Sequence, residues 1–250
     1  MHTVIMFPNI CQVSIVMNWA QFEPEIQDIQ SQKLTSAARI RLIILNAIGA
    51  GALVAGTRVI ETELGKALQV SRTPLREALT ALRAEQVLDD DGDGLRVRRL
   101  AWRDVSNLYE LRGTLEGMAA RLAADTANTS EKAIISNLCH EEAMMIDNGA
   151  DAQTLAAQNR RFHQAILHSA NNPFLTEALH KLSRLTILLG NTVYSMPERR
   201  SLISQEHFDI ERAIISGDGV QAEQMMRFHL EKALEARLKI MTETREQELD

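Results

Sequence analysis

From Leu34 onward, apolar positions recur with a helical period, and this predicts helices almost to the end of the chain. A first helix covers roughly 34–49 and stops at the breaker Gly49-Ala50-Gly51. The loop LVAGTRVI leads to a short helix near Glu61–Leu68, and Ser71 is placed to cap a third that runs to about Gln86. Pro74 is tolerated in that helix's first turn. VLDDDGDGLRVRR then interrupts the period: two strand-like pieces flank an Asp/Gly turn, the pattern of a hairpin. Past Leu100 the helical period resumes in six segments, near 103–125, 129–148, 151–170, 172–192, 197–216 and 218–245. The expected fold is mainly α, an N-terminal winged helix-turn-helix followed by an antiparallel six-helix bundle. Its expected divisions are an arm over 1–32, a reader over 33–100 and a helical domain over 101–250.

The third helix points to a chemistry. Leu75, Ala78, Leu79 and Leu82 form its apolar stripe, while Arg72, Arg76, Thr80 and Arg83 line the opposite face with Thr73 beside them. Guanidinium and short hydroxyl side chains at a helix N-terminus suit entry into a DNA major groove, where Arg meets guanine edges or phosphates. Charge agrees with this. Residues 33–100 hold 11 basic against 8 acidic side chains, whereas 101–250 hold 16 against 22, and the whole chain is −6. A solvated basic face on an ordinary helix is the rival account.

The stretch ETELGKALQVSRTPLREALTAL resembles the DNA-binding domain of the GntR family, and the likeness extends over AIGAGALVAGTRVIETELGKALQVSRTPLREALTALRAEQVL. It implies DNA contacts from Thr62 on the second helix, from Ser71, Arg72, Thr73 and Arg76 on the third, and from a wing glycine, Gly92 or Gly94. Two departures stand out. Ala55-Gly56 replaces the family's Pro-Gly, and the wing carries Asp89, Asp90, Asp91 and Asp93, carboxylates that would repel phosphates. Arg96, Arg98 and Arg99 lie close enough in sequence to offset them.

In the helical domain, polar side chains on apolar stripes carry the information. His163 lies on the stripe Leu155, Asn159, His163, Ile166, Ala170, His207 on Ile203, His207, Ile210, Ile214, and His229 on Ala222, Met226, His229, Ala233. Asn159 precedes His163 by one turn and shares its face. His168 and His180, with polar helical neighbours, read as solvated. Any one buried histidine is ordinarily a core residue bonded to a neighbour. Three on separate helices can instead converge as a metal site or a polar pocket.

NRRFHQAILHSANNPFL, EHFDIERAIISGD and MMRFHLEKAL resemble the successive motifs of the FCD effector domain of the FadR subfamily, in its six-helix, VanR-like branch. The resemblance implies a divalent cation, zinc or nickel, held by three His and an acid at positions occupied here by Asn159, His163, His207 and His229. The amide at 159 is a weaker, uncharged ligand than the usual Asp. The likeness also implies that the Arg112 of LYELRGTLEG meets the carboxylate of an effector, a small organic acid. The same helix is expected to bury Leu108, Leu111, Leu115 and Leu122, and a plain Arg112–Glu116 pair is the competing account.

The expectation is then a ligand-responsive homodimeric transcriptional regulator, a repressor rather than an enzyme, that binds double-stranded operator DNA. A metalloenzyme built on the three histidines is the alternative, with Glu206 as the base near in sequence, and a regulator whose sensor no longer holds metal is a third. Aromatics at 4% disfavour sandwiches and barrels, and the spacing of Cys11 and Cys139 fits neither metal nor redox motifs. No apolar run approaches the ~20 residues of a membrane span, so a cytoplasmic location is expected. The apolar start MHTVIMFPNICQVSIVMNWA lacks a basic n-region. It reads as a disordered arm or as an early start codon, with Met17 as an alternative start.

Overall fold

The computed structural model describes Trp19 and residues 34–90, 92–190 and 192–247, with side chains to 243. The expected arm over 1–32, apart from Trp19, lies outside the described residues, as do Cys11 and Asp91. The chain divides into two compact units, one reaching to Leu100 and also holding Arg184–Gly190, the other formed by Ala101–Ser183 and the residues from 191 onward.

In the first unit, α1 (Ser36–Gly49) begins where the Thr35 hydroxyl accepts the Ala38 N–H at 3.2 Å. Its Ile40, Ile43, Ile44, Ala47 and Ile48 are buried. α2 (Glu61–Ala67) and α3 (Arg72–Ala84) follow, and α3 buries the predicted stripe of Leu75, Ala78, Leu79 and Leu82. Ser71 occupies the N-cap position of α3, but its side chain makes no capping bond. The turn between α2 and α3 passes through Gln69 at φ 54°, a left-handed conformation that L residues adopt at a cost. β1 (Leu88–Asp90) and β2 (Leu95–Val97) form the antiparallel wing with Leu88 opposite Val97. Arg58 bridges to Arg96 on the other edge of β2. Glu85, just past α3, accepts Arg41 at 2.9 Å and lies 3.6 Å from Arg184.

From Ala101 onward the helices are α4 (Trp102–Thr126), α5 (Thr129–Asp147), α6 (Ala152–Ser169), α7 (Pro173–Thr186), α8 (Pro197–Ser216) and α9 (Gly219–Gln247), all in the second unit except the last residues of α7, from Arg184, which belong to the first. α7 ends earlier than the periodicity predicts, passing into a 3-10 turn, Ile187–Leu189, that Gly190 stops at φ 69°. A second 3-10 turn, Val193–Ser195, inserts Tyr194 into the interior. The main core joins Ala120 and Ala123 of α4, Ile135 of α5, Phe162 and Ile166 of α6, Ile210 and Ile214 of α8, and Met226 and Leu230 of α9. The inward stripe of α4 is corrected by the structure. Leu108 is buried and Leu115 and Leu122 pack half-buried against the core as expected, but Leu111 is exposed, and Val105, Tyr109, Glu116, Ala119 and Ala120 are buried as well. The small residues let α9 approach closely: a Cβ on Gly117 would lie 3.1 Å from Arg227 Cγ. Among the described residues no helix is long and apolar enough to cross a membrane.

Candidate functional site

Because His163, His207 and His229 stand on the inward stripes of α6, α8 and α9, folding brings them together without any short sequence spacing. A ligand nitrogen from each lies within 4.8 Å of the others, and the rings of His207 and His229 are 4.7 Å apart. Each Nδ1 meets a separate buried carboxylate: His163 meets Glu116 at 2.6 Å, His207 meets Glu142 at 2.7 Å, and His229 meets Glu206 at 2.8 Å. Burial lowers the pKa of His163 and of His229, so each is neutral and donates its Nδ1–H to the carboxylate. The tautomer that results carries its lone pair on Nε2. The Nε2 atoms of His163 and His207 are buried without a hydrogen-bond partner. Buried nitrogens left open in this way are what a cation needs.

The carboxylates differ in their own support. Burial pushes Glu116 up, but the Arg112 guanidinium and His163 outweigh it and hold the acid at about 2. Arg112 gives its Nε–H to Glu116 at 2.8 Å and lies over the Tyr109 ring at 5.0 Å. Burial is also the largest influence on Glu206, and the bonds from His229 and from both terminal nitrogens of Arg199 overcome it. Glu142, 1% exposed, takes the Tyr194 hydroxyl at 2.5 Å besides His207. The Tyr194 oxygen is in turn 3.4 Å from Oδ1 of the half-buried Asn159.

Sequence reasoning missed Glu142, Tyr194 and Arg199. Glu142 was within reach of it, since it stands on the α5 stripe Ile135, Leu138, Cys139, Glu142 as a charge at an apolar position. Nothing in the pattern of a short 3-10 turn signals Tyr194. His168 is exposed, as its polar neighbours suggest. Glu206 is engaged by His229 and Arg199, which removes it as the free base that the metalloenzyme alternative requires.

In the first unit, Thr62, Ser71, Arg72, Thr73 and Arg76 are all exposed, Thr62 on α2 and the others at the start of α3. Arg76 donates its Nε–H to both oxygens of Glu61, at 2.8 and 3.0 Å. Gly92 and Gly94 turn the wing at φ 92° and 119°, conformations that only glycine adopts readily. The wing's acids are partly answered within the unit: Arg83 lies 3.5 Å from Asp90 and Arg98 lies 3.8 Å from Asp89. Arg99 donates to the Ala55 carbonyl at 3.2 Å and Arg96 to that of Gly56 at 3.5 Å, so these two brace the loop.

Comparison with known proteins places both units. Residues 36–97 match the family of bacterial regulatory proteins, gntR family, and residues 107–232 match the FCD domain. A "Probable D-xylose utilization operon transcriptional repressor" of Paenarthrobacter nicotinovorans is 31% identical over 215 residues, 84% of this chain and 93% of its own. The HTH-type transcriptional regulator YdhC of Bacillus subtilis (strain 168) is 28% identical over 197 residues, covering 78% of this chain and 88% of the relative. Among solved structures, E. coli McbR/YncC shares the fold with a TM-score of 0.72 at 22% identity, over 83% of this chain and 99% of that one.

Proposed function

Because the chain belongs to the gntR family of bacterial regulatory proteins and is a transcriptional regulator with an FCD domain, we propose that a small organic acid bound at the histidine cluster controls its grip on operator DNA. Binding to the double-stranded operator is by a homodimer in the cytoplasm, through α3 and the wing, and the proposed sign is repression, the sign named for the D-xylose relative. The sensor half rests on one observation: three imidazoles converge with their Nδ1 atoms committed to carboxylates, and the buried Nε2 atoms of His163 and His207 have no hydrogen-bond partner.

The donor set fits a divalent zinc or nickel on His163, His207 and His229, and Asn159, one turn before His163 on α6, is proposed to supply its carbonyl oxygen as the fourth ligand. When bound, such a cation supplies a Lewis-acid position that accepts a carboxylate oxygen. Charge balance supports an acid as the effector. Arg112 neutralises Glu116 and Arg199 neutralises Glu206, so a divalent ion exceeds the remaining Glu142 by one positive charge. Arg112 reaches the acid with the part of its fork that Glu116 leaves, while the acid's apolar remainder meets the surrounding Ile, Leu and Met side chains.

To release the operator, the acid must favour the DNA-incompetent state, and a ~100-fold preference corresponds to about 2.7 kcal/mol of coupling. The test is metal analysis of the full chain after dialysis against added zinc or nickel, followed by operator titrations with and without small carboxylates. Wild type is expected to retain metal, Asn159→Asp to retain more of it, and His207→Ala to lose it. Arg112→Ala should bind operator but ignore the acid. Equal, near-zero metal in wild type and Asn159→Asp overturns the metal reading, and an effector without an acid group overturns the ligand class.

A further inference from the structure

Glu142 is the outlier among the three carboxylates. Glu116 and Glu206 each pair with an arginine, whereas the partners of Glu142 among the described residues are the imidazole of His207 and the phenol of Tyr194, neither a fixed cation. A carboxylate 1% exposed without a fixed positive partner is costly to bury. A cation on the far side of His207 would offset that cost through the ring, and the same carboxylate also controls the fourth ligand. Tyr194 has one hydroxyl proton, and the 2.5 Å bond to Glu142 takes it. At 3.4 Å the Asn159 oxygen would then face the lone pairs of the phenol oxygen, a repulsive pairing. Turning the amide by a half-rotation replaces it with an Nδ2–H bond to that oxygen and releases the carbonyl oxygen for a cation.

We propose that Glu142 and Tyr194 are the positioning residues of the metal site: Glu142 fixes His207 and, by accepting the Tyr194 O–H, leaves the phenol oxygen as an acceptor that orients the Asn159 amide. The relay rests on the metal reading above. It assigns a function to the one of the three histidine-bound acids that has no arginine partner and to the tyrosine that the second 3-10 turn inserts. It also accounts for how an uncharged amide serves where an acid would otherwise bind: orientation, together with an anion behind His207, replaces the ligand's own charge.

The test is a zinc titration of the full chain against a chromophoric chelator, for wild type, Tyr194→Phe, Asn159→Ala, their double variant and Glu142→Gln. Tyr194→Phe keeps the ring and should fold. Its zinc affinity is expected to fall roughly 10-fold or more, in the range typical for loss of a group that orients a metal ligand. In the double variant, Tyr194→Phe should add little to Asn159→Ala, because both remove one ligand. Glu142→Gln should weaken zinc at least as much as Tyr194→Phe. Zinc bound equally by wild type and Tyr194→Phe, or fully additive losses in the double variant, overturns the relay and leaves the metal reading standing. Wild type that takes up no zinc overturns both.

Discussion

At the scale of single residues, two arginines and two histidines carry the sharpest consequences. Arg72 and Arg76 stand exposed on α3 and contribute nothing to the core, so removing either should leave folding intact. Each truncation to Ala should cost about 1–3 kcal/mol of operator affinity, measured by titration with the variants shown folded by circular dichroism. A double variant that binds like wild type removes α3 from the interface. His163 and His229 make a prediction about pH. Their folded pKa values lie below the ordinary 6.5, because burial opposes the charged ring. A depressed histidine contributes stability that is whole above 6.5 and is lost as the pH falls and the unfolded chain takes up the proton. Glu116, held at about 2 instead of 4.5, contributes stability present above 4.5 and lost as the pH falls towards 2. Both act in the same direction, so the metal-free chain should lose thermal stability in acid, first below about 6.5 and again below about 4.5. Melting curves of His163→Gln/His229→Gln should show the first loss flattened. An unchanged slope between pH 6.5 and 5 would place those protons on other groups.

At the scale of elements, the turn between α2 and α3 is the weak point of the reader. It sets where α3 starts, and Gln69 holds it at φ 54° with its side chain in solvent. An L residue there costs roughly 1–2 kcal/mol, of which glycine recovers the steric part but loses some to its freer unfolded chain. Gln69→Gly should therefore stabilise the first unit by up to about 1 kcal/mol, read from denaturant midpoints. It should leave operator affinity unchanged, since Gln69 lies between the proposed contact residues Thr62 and Ser71 and is not one of them. A destabilised variant would mean that the glutamine side chain has a partner worth more than the strain.

At the scale of the whole molecule, electrostatics oppose DNA binding and must be overcome locally. The chain is −6 overall, and Asp89 and Asp90 extend the acidity into the wing. Asp90→Asn removes a carboxylate and frees Arg83, which lies 3.5 Å away. Affinity should rise for operator and unrelated DNA alike, and the gain should shrink as salt increases, because phosphate contacts carry no sequence information and are screened. A gain confined to the operator would instead show the wing reading bases.

How much of this was legible in the chain depends on the range of the interaction. Period, capping and glycine placement are local, so the apolar stripe of α3, the wing hairpin and six helices past Leu100 follow from neighbours within a few residues. The three histidines could be picked out because a polar side chain breaks an apolar stripe wherever it stands. Tertiary structure alone decided the rest. Leu111 faces solvent although it fits the helical pattern, since α4 turns its small residues, Ala119, Ala120 and Ala123, into the core instead. α7 yields to a 3-10 turn where Gly190 turns the chain, and the next such turn delivers Tyr194 to a carboxylate 52 positions away. The pairing of each histidine with its own glutamate was not legible for a physical reason. Separations of 47, 65 and 23 residues leave no periodic trace, and only the packing of α4, α5, α6, α8 and α9 selects which buried acid meets which ring.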